Sequence, residues 1–245
     1  MSIIKVTFKP TSNQIEEIKD WLIDEEKKYK EGFFCNWDSI QHSFDDAKIA
    51  VLTCNKNSIG FITWFEWEKV TRIQIAEIRP GYRQKGLGKF LSEKLFERLS
   101  KRGFIVLDLH CQPSSSEKVW KKLGFKRFPE AKDFERENSA SGRHLYKILV
   151  PHLKPTKSLA LKESIELWYE EPHLARTEHA QLKWHPKFQK GTRNLIQPII
   201  HPAKRDWQIS WNRLEEIPKT DKIKYFSRNE IDFGNFIIIS TLPLN

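Results

Sequence analysis

Three stretches of this chain bring together residue types that could do chemistry. In "RQKGLGKFL", residues 83–91, Gly86 and Gly88 stand between basic residues where an amphipathic helix begins. The chain holds only 10 glycines in 245 residues, so two of them two apart mark the place. A strand that turns through glycines into a helix start leaves N–H groups pointing outward with the helix dipole behind them, which makes an anion site. In "FIVLDLHC", Ile105, Leu107 and Leu109 alternate with Asp108 and His110. Burial should raise the pKa of a carboxylate set in such an apolar strand, and a proton acceptor needs a raised pKa. Glu77 is a rival acceptor. It lies in "RIQIAEI", where Ile73 and Ile75 alternate but the next apolar residue is Ile78 rather than residue 77. That slip predicts a β-bulge that splays this strand from the next and turns Glu77 toward Arg72 and Gln74.

The elements that must position these residues follow from periodicity. "VTFKP" reads as a first strand, and Thr11 or Ser12 can cap a helix carrying Ile15, Ile18, Trp21 and Leu22 on one face. Residues 36–46 are expected to form a shorter helix. "KIAVLTC", "FITWFEWE" and "RIQIAEI" read as a tight antiparallel meander. "KFLSEKLFERLSKRG" is an amphipathic helix with Phe90, Leu91, Leu95, Phe96 and Leu99 on its stripe. "SSSEKVWKKLGF" reads as a short helix capped by serines and ended by Gly124, and "RHLYKILV" as a closing strand. Beyond Pro151 and Pro155 the pattern changes to short strands such as "SIELWYEE", "QPIIHP", "WQISW" and "NFIIIST". The expected organisation is therefore an α/β domain over 1–150 and a β-rich domain or extension over 151–245.

Composition limits the function classes. Hydrophobic residues are 39% and charged residues 30%, the balance of a folded soluble chain. The net charge of +10 fits either solubility or a polyanionic partner. The start "MSIIKVTFKPTSNQIEEIKDW" lacks a basic n-region with an apolar core, and no apolar run approaches the ~20 residues of a membrane helix. A cytoplasmic location without a membrane partner is expected. Cys35, Cys54 and Cys111 show no CxxC spacing, and His173, His179 and His185 are spaced unlike any common ligand set, so no metal is expected. Trp207, Ile209 and Trp211 alternate, as a packing stripe or a stacking platform for bases would.

The element order, the R-x-x-G-x-G turn at Arg83–Gly88 after "IRPGY", and the later "VWKKLGF" together resemble the GNAT superfamily of N-acetyltransferases over roughly residues 1–150. The resemblance implies a mixed, mostly antiparallel sheet flanked by helices. It implies that Gln84, Lys85, Gly86, Leu87, Gly88 and Lys89, with Arg83 before them, cradle the pyrophosphate of acetyl-coenzyme A. It also implies that backbone groups of Ala76, Glu77 and Ile78 bind the pantetheine arm in the splay. An amine would then attack the thioester in a ternary complex, with Asp108 as base or water anchor and Glu77 as the alternative. Asp108 sits twelve positions before the helix aromatic, where ribosomal-protein alanine acetyltransferases of this family carry a glutamate base.

Two positions depart from the pattern. Trp120 stands where a tyrosine acid is usual, and an indole N–H cannot serve as a general acid at neutral pH. Pro113 replaces the cofactor-binding asparagine, leaving Gln112 and Ser114 as the nearest polar groups. The acceptor is expected to be a small amine or a peptide. An RNA-binding role on this scaffold, a weakly catalytic acyl-coenzyme A sensor and a homodimer are the other readings kept open.

Overall fold

The computed structural model describes residues 3–30, 32–129, 143–156, 163–175, 179–213, 218–226, 231 and 233–242. It divides into two compact units: Met1–Lys126 with Gly142–Leu149, and Arg127–Ser141 with Val150–Asn245. Both units are assembled from two separate stretches of the chain.

The first unit opens with β1 (Ile4–Thr7) and α1 (Ser12–Tyr29). Thr11 caps α1 in a capping box. Its hydroxyl accepts from the Gln14 N–H at 3.3 Å, and the Gln14 side chain accepts from the Thr11 N–H at 3.0 Å. Then come α2 (Trp37–Asp45), β2 (Ile49–Cys54), β3 (Asn57–Trp67), β4 (Val70–Ile78), α3 (Leu87–Lys101), β5 (Val106–Cys111), α4 (Glu117–Lys122), β6 (Lys126–Arg127) and β7 (Arg143–Ile148). The sheet order is β1-β2-β3-β4-β5-β7-β6. Its registers are antiparallel from β1 to β4 and between β5 and β7, while β4 and β5 run parallel. This is the mixed, mostly antiparallel α/β sheet that the sequence implies. No helix among the described residues is long and apolar enough to cross a membrane.

The sheet buries both faces. Ile62, Trp64, Ile73, Leu107 and Leu109 pack with Leu91, Leu95 and Leu99 of α3 on one side. Ile49, Val51, Phe61 and Ile75 pack with Ile15, Ile18 and Leu22 of α1 on the other. At ~1.5–3 kcal/mol for each fully buried aliphatic or aromatic side chain, these two cores dominate the stability of the unit.

Ile73 and Ile75 are two apart yet lie in opposite cores. The register explains it: Trp64 pairs with Ile73 and Thr63 with Ile75, so Gln74 is an extra residue on β4. The bulge foreseen from the Ile75–Ile78 slip is thus real, but it sits at Gln74. Ile75 and Ile78 are out of phase because they face opposite sides, not because the chain slips between them.

One cap differs from expectation. Ser116 makes no side-chain cap on α4, and its hydroxyl bonds to the Pro113 carbonyl at 2.9 Å instead.

The second unit contains β8 (Glu163–Leu167), the four-residue α5 (Pro172–Ala175), β9 (Leu182–Trp184), β10 (Asn194–Pro202), β11 (Gln208–Arg213), β12 (Lys219–Lys222) and β13 (Phe236–Thr241). They form a four-stranded sheet, β12-β11-β8-β9, and the pair β10–β13. Trp184, Trp207 and Ile209 join Ile165, Leu167, Ile237 and Ile239 in one core, and Trp211 packs against it. The tryptophan stripe is therefore packing rather than an open stacking platform.

A half-buried ionic contact ties the end of β3 to the C-terminus of α3. The Glu66 carboxylate is bonded by Lys48, by the Arg102 guanidinium and by the Trp64 indole at 2.8 Å. Burial alone would raise its acid, but these donors lower it from 4.5 to about 2. A depressed carboxylate adds stability above its unfolded pKa and loses it as pH falls through the folded one. Glu66→Gln should accordingly cost on the order of 2 kcal/mol at pH 7, discounted because the cations are partly exposed. Urea unfolding should show that difference shrinking between pH 5 and pH 2; a difference independent of pH would refute the assignment.

Candidate active site

The glycine turn forms as its sequence requires. After a 3-10 turn at Pro80–Tyr82, Gln84 and Gly86 take positive φ of 63° and 76°. A Cβ at Gly86 would meet nothing, so the left-handed backbone is what calls for glycine there. The first amide to bond back in α3 is that of Phe90, to the Gly86 carbonyl at 3.0 Å. The N–H groups of Leu87, Gly88 and Lys89 precede it and have no carbonyl to meet within the helix. They form the donor cluster at the positive end of the helix dipole. At Gly88 a Cβ would only touch Ile78 at 3.6 Å, so the protein's own packing does not demand this glycine. Lys85 donates to the Gly81 carbonyl at 2.9 Å, and Lys89 lies 3.7 Å from Glu93.

Beside this turn the sheet opens. β4 and β5 are in register only from Val70–Val106 to Ile73–Leu109, whereas β4 stays paired with β3 as far as Ile78. Past the Gln74 bulge, β4 and β5 part. The Ile75 N–H points to Thr63 of β3 at 3.2 Å, so by alternation the backbone groups of Ala76 and Ile78 face the opening. Those of Ile78 are already engaged: its N–H donates to the Glu77 carboxylate at 3.0 Å, and its carbonyl accepts from Arg83 Nε at 2.7 Å. Of the strip Ala76–Ile78, Ala76 is the one whose backbone faces the cleft without these internal partners, and Glu77 faces β3.

Arg83 shapes the site rather than reaching into it. Its N–H closes on Pro80 at 3.3 Å, and its guanidinium also binds Glu25 of α1 and, at 2.9 Å, Glu77. Glu25 is 4% exposed and Glu77 15%. Burial raises the Glu77 acid, opposed by Arg83 and the Ile78 N–H and assisted by the Glu25 charge.

The candidate Asp108 behaves differently from expectation. It is 1% exposed, and burial pushes its acid up, but bonds from His144 and Arg72 hold it below the ordinary carboxylate value. Arg72 Nε and Nη2 reach its two oxygens at 3.1 and 2.6 Å, and His144 Nε2 reaches Oδ2 at 2.8 Å. A raised pKa is therefore not the property of Asp108; the partners outweigh the desolvation. His110 stacks on His144, with ring centroids 4.5 Å apart, and Gln74 reaches Ser43 of α2 at 3.5 Å. Periodicity missed His144 and Glu25. The alternation of His144 and Tyr146 against the buried Leu145 was the available signal for the first. Nothing in the sequence aligned Glu25 with Arg83.

Trp120 packs edge-on against Phe125 at 5.3 Å, and the Ser114 side chain lies outside the described residues. No group of His, Cys, Asp and Glu able to hold a metal occurs among the described residues.

The sheet is thus splayed at its parallel pair, with the amide donors of a helix N-terminus beside the opening. Residues 14–125 match the family model described as Acetyltransferase (GNAT) family. Similar solved structures include a GNAT-family acetyltransferase from Staphylococcus aureus Mu50 (16% identity, 60% of this chain and 100% of that one, TM-score 0.48). The PaiA N-acetyltransferase from Thermoplasma acidophilum, in complex with coenzyme A, is also similar (18% identity, 60% and 99%, TM-score 0.46). So is N-acetylglutamate synthase from Neisseria gonorrhoeae, complexed with coenzyme A and N-acetyl-glutamate (13% identity, 60% and 35%, TM-score 0.46). No curated protein matches the sequence.

Removing the Arg83 cation should leave two buried carboxylates facing each other. Arg83→Met is expected to cost about 1–2 kcal/mol, less than the loss of a fully buried partner because the guanidinium is 42% exposed. Glu25→Gln in that background should recover part of it, both read as urea midpoints. If Arg83→Met unfolds like the wild type, the clamp is not structural.

Proposed function

We propose that this protein moves an acetyl group from acetyl-coenzyme A to a primary amine by direct attack in a ternary complex. The observation that carries the reading is the β4–β5 register, which stops at Ile73–Leu109 while β4 continues to Ile78. That leaves a slot between two strands, with the α3 donors at one end and a polar sheet face beside it. The cradle fits a diphosphate: Gly86 supplies the left-handed turn, and Gly88 adds no side chain in front of the Leu87, Gly88 and Lys89 amides. Ala76 offers backbone groups to an extended arm. When bound, acetyl-coenzyme A supplies the activated acetyl thioester. The chain's own residues would anchor and orient it, and would take the proton an ammonium must lose before it becomes a nucleophile.

The acceptor lies on the α2 side of the sheet in this reading, because Arg72, Gln74 and Asp108 face that side. A cytoplasmic setting is part of the proposal and agrees with three cysteines that form no disulfide.

Two measurements test it. A primary-amine panel assayed by thiol release from acetyl-coenzyme A should identify at least one acceptor. Gly88→Glu should abolish coenzyme A binding in calorimetry while leaving the thermal unfolding midpoint near that of the wild type. Gly88 is the cleaner position, since any side chain at Gly86 also strains a left-handed φ. Unchanged coenzyme A affinity in Gly88→Glu would remove the cradle.

A further inference from the structure

Resting on the amine-acetylation reading, we infer that His144 takes and returns the reacting proton and that Asp108 is the residue that positions it. The location comes from the registers. Leu109 is the last β5 residue level with β4, and the next cross-strand pair on β5 and β7 is His110–His144. The two rings therefore stand level with the point where the slot opens, stacked at 4.5 Å with planes 15° apart.

The support is a fixed chain of contacts. Arg72 holds both oxygens of Asp108, and Asp108 Oδ2 lies 2.8 Å from His144 Nε2. A buried carboxylate so held keeps an acceptor aimed at the ring nitrogen and fixes the orientation of the imidazole. Asp108 and His110 of β5 lie against the His144 ring, with Arg72 behind Asp108 on β4. Asp108 is ill-suited to the proton itself, because its oxygens are engaged and its acid is depressed.

The proton balance closes without another reagent. The acceptor ammonium gives a proton to the His144 ring, and the imidazolium pairs with Asp108. As the N–C bond forms and the C–S bond breaks, the nitrogen sheds its second proton to solvent and the ring returns its own to the departing sulfur. One ring then serves where Trp120 offers no acid.

The test uses the full chain with acetyl-coenzyme A and three probes: spermidine, an alanine-headed hexapeptide and an acetyl-capped lysine peptide. With a probe the wild type acetylates, His144→Gln should lose about 10²- to 10⁴-fold in kcat. The KM for acetyl-coenzyme A should stay within a factor of about two, since that contact lies elsewhere. Asp108→Asn should keep more activity and displace the acid limb of the kcat–pH profile, because the charge beside the ring is lost while a partner for its nitrogen remains. A His144→Gln enzyme with wild-type kcat between pH 6 and pH 8 overturns the assignment. A wild type that binds coenzyme A but acetylates no amine overturns the reading beneath it instead. Ring nitrogen resonances decide independently of any acceptor: a His144 ring that keeps one protonation state from pH 5 to pH 9 cannot cycle a proton.

Discussion

One extra residue on β4 governs what each face of the sheet receives. With Gln74 inserted, Ile73 enters the α3 core and Ile75 the α1 core, two positions that strict alternation would place together. The pairing with β5 ends at the residue before the insertion, Ile73, while the pairing with β3 runs on to Ile78. Everything read as a site depends on that choice. The slot exists because β4 stays with β3. Glu77 turns toward α1 and Arg83, and the α3 N-terminus faces the end of the opening.

Asp108 and Glu77 show what sets the sign of a buried carboxylate's shift. Both are largely buried, and both touch an arginine. Asp108 has Arg72 through two bonds and His144 through a third, so its donors exceed the desolvation and the acid falls. Glu77 shares a single guanidinium with Glu25, whose charge adds to the desolvation, and the acid rises. Burial is common to both; the number of donors for each carboxylate decides. Asp108, in the middle of the sheet, is thereby held below the ordinary carboxylate value, while Glu77, at the end of β4, is raised above it.

Local pattern made much of this visible. Alternation in "FIVLDLHC" separated Asp108 from the apolar face, the stripe in "KFLSEKLFERLSKRG" fixed α3, and the glycines fixed its start. Pattern also flagged a bulge, because a one-residue slip leaves a trace in the apolar phase. It placed the slip late, since Ile78 is apolar on the opposite face and alternation cannot say which core an isoleucine enters. The pKa of Asp108 was misjudged for a related reason. An apolar strand announces desolvation, but Arg72 is 36 residues away and His144 is 36 on the other side, and only the parallel and antiparallel registers bring them to one carboxylate. Glu25 and Arg83, 58 residues apart, pose the same problem across a helix and a turn. Chemistry carried within one element can be read from sequence; chemistry assembled across strands needs the register.

The substitution at Trp120 fits this division of the sheet. Its ring belongs to the α3 side, packed with Phe125, which itself lies against Phe96 at 5.8 Å. An aromatic residue at that point completes the α3 core, and an indole does so without offering a proton that could be lost near neutral pH. Cys111, on the same face of β5, is turned to Ser116 at 3.0 Å and is buried. The α3 face thus provides packing and backbone donors, while the ionisable side chains near the slot lie on the opposite face: Asp108, His110 and His144 on β5 and β7, and Glu77 on β4. A reaction that needs a proton moved has its means on that second face, and the bulge at Gln74 is what lets the two faces meet at one opening.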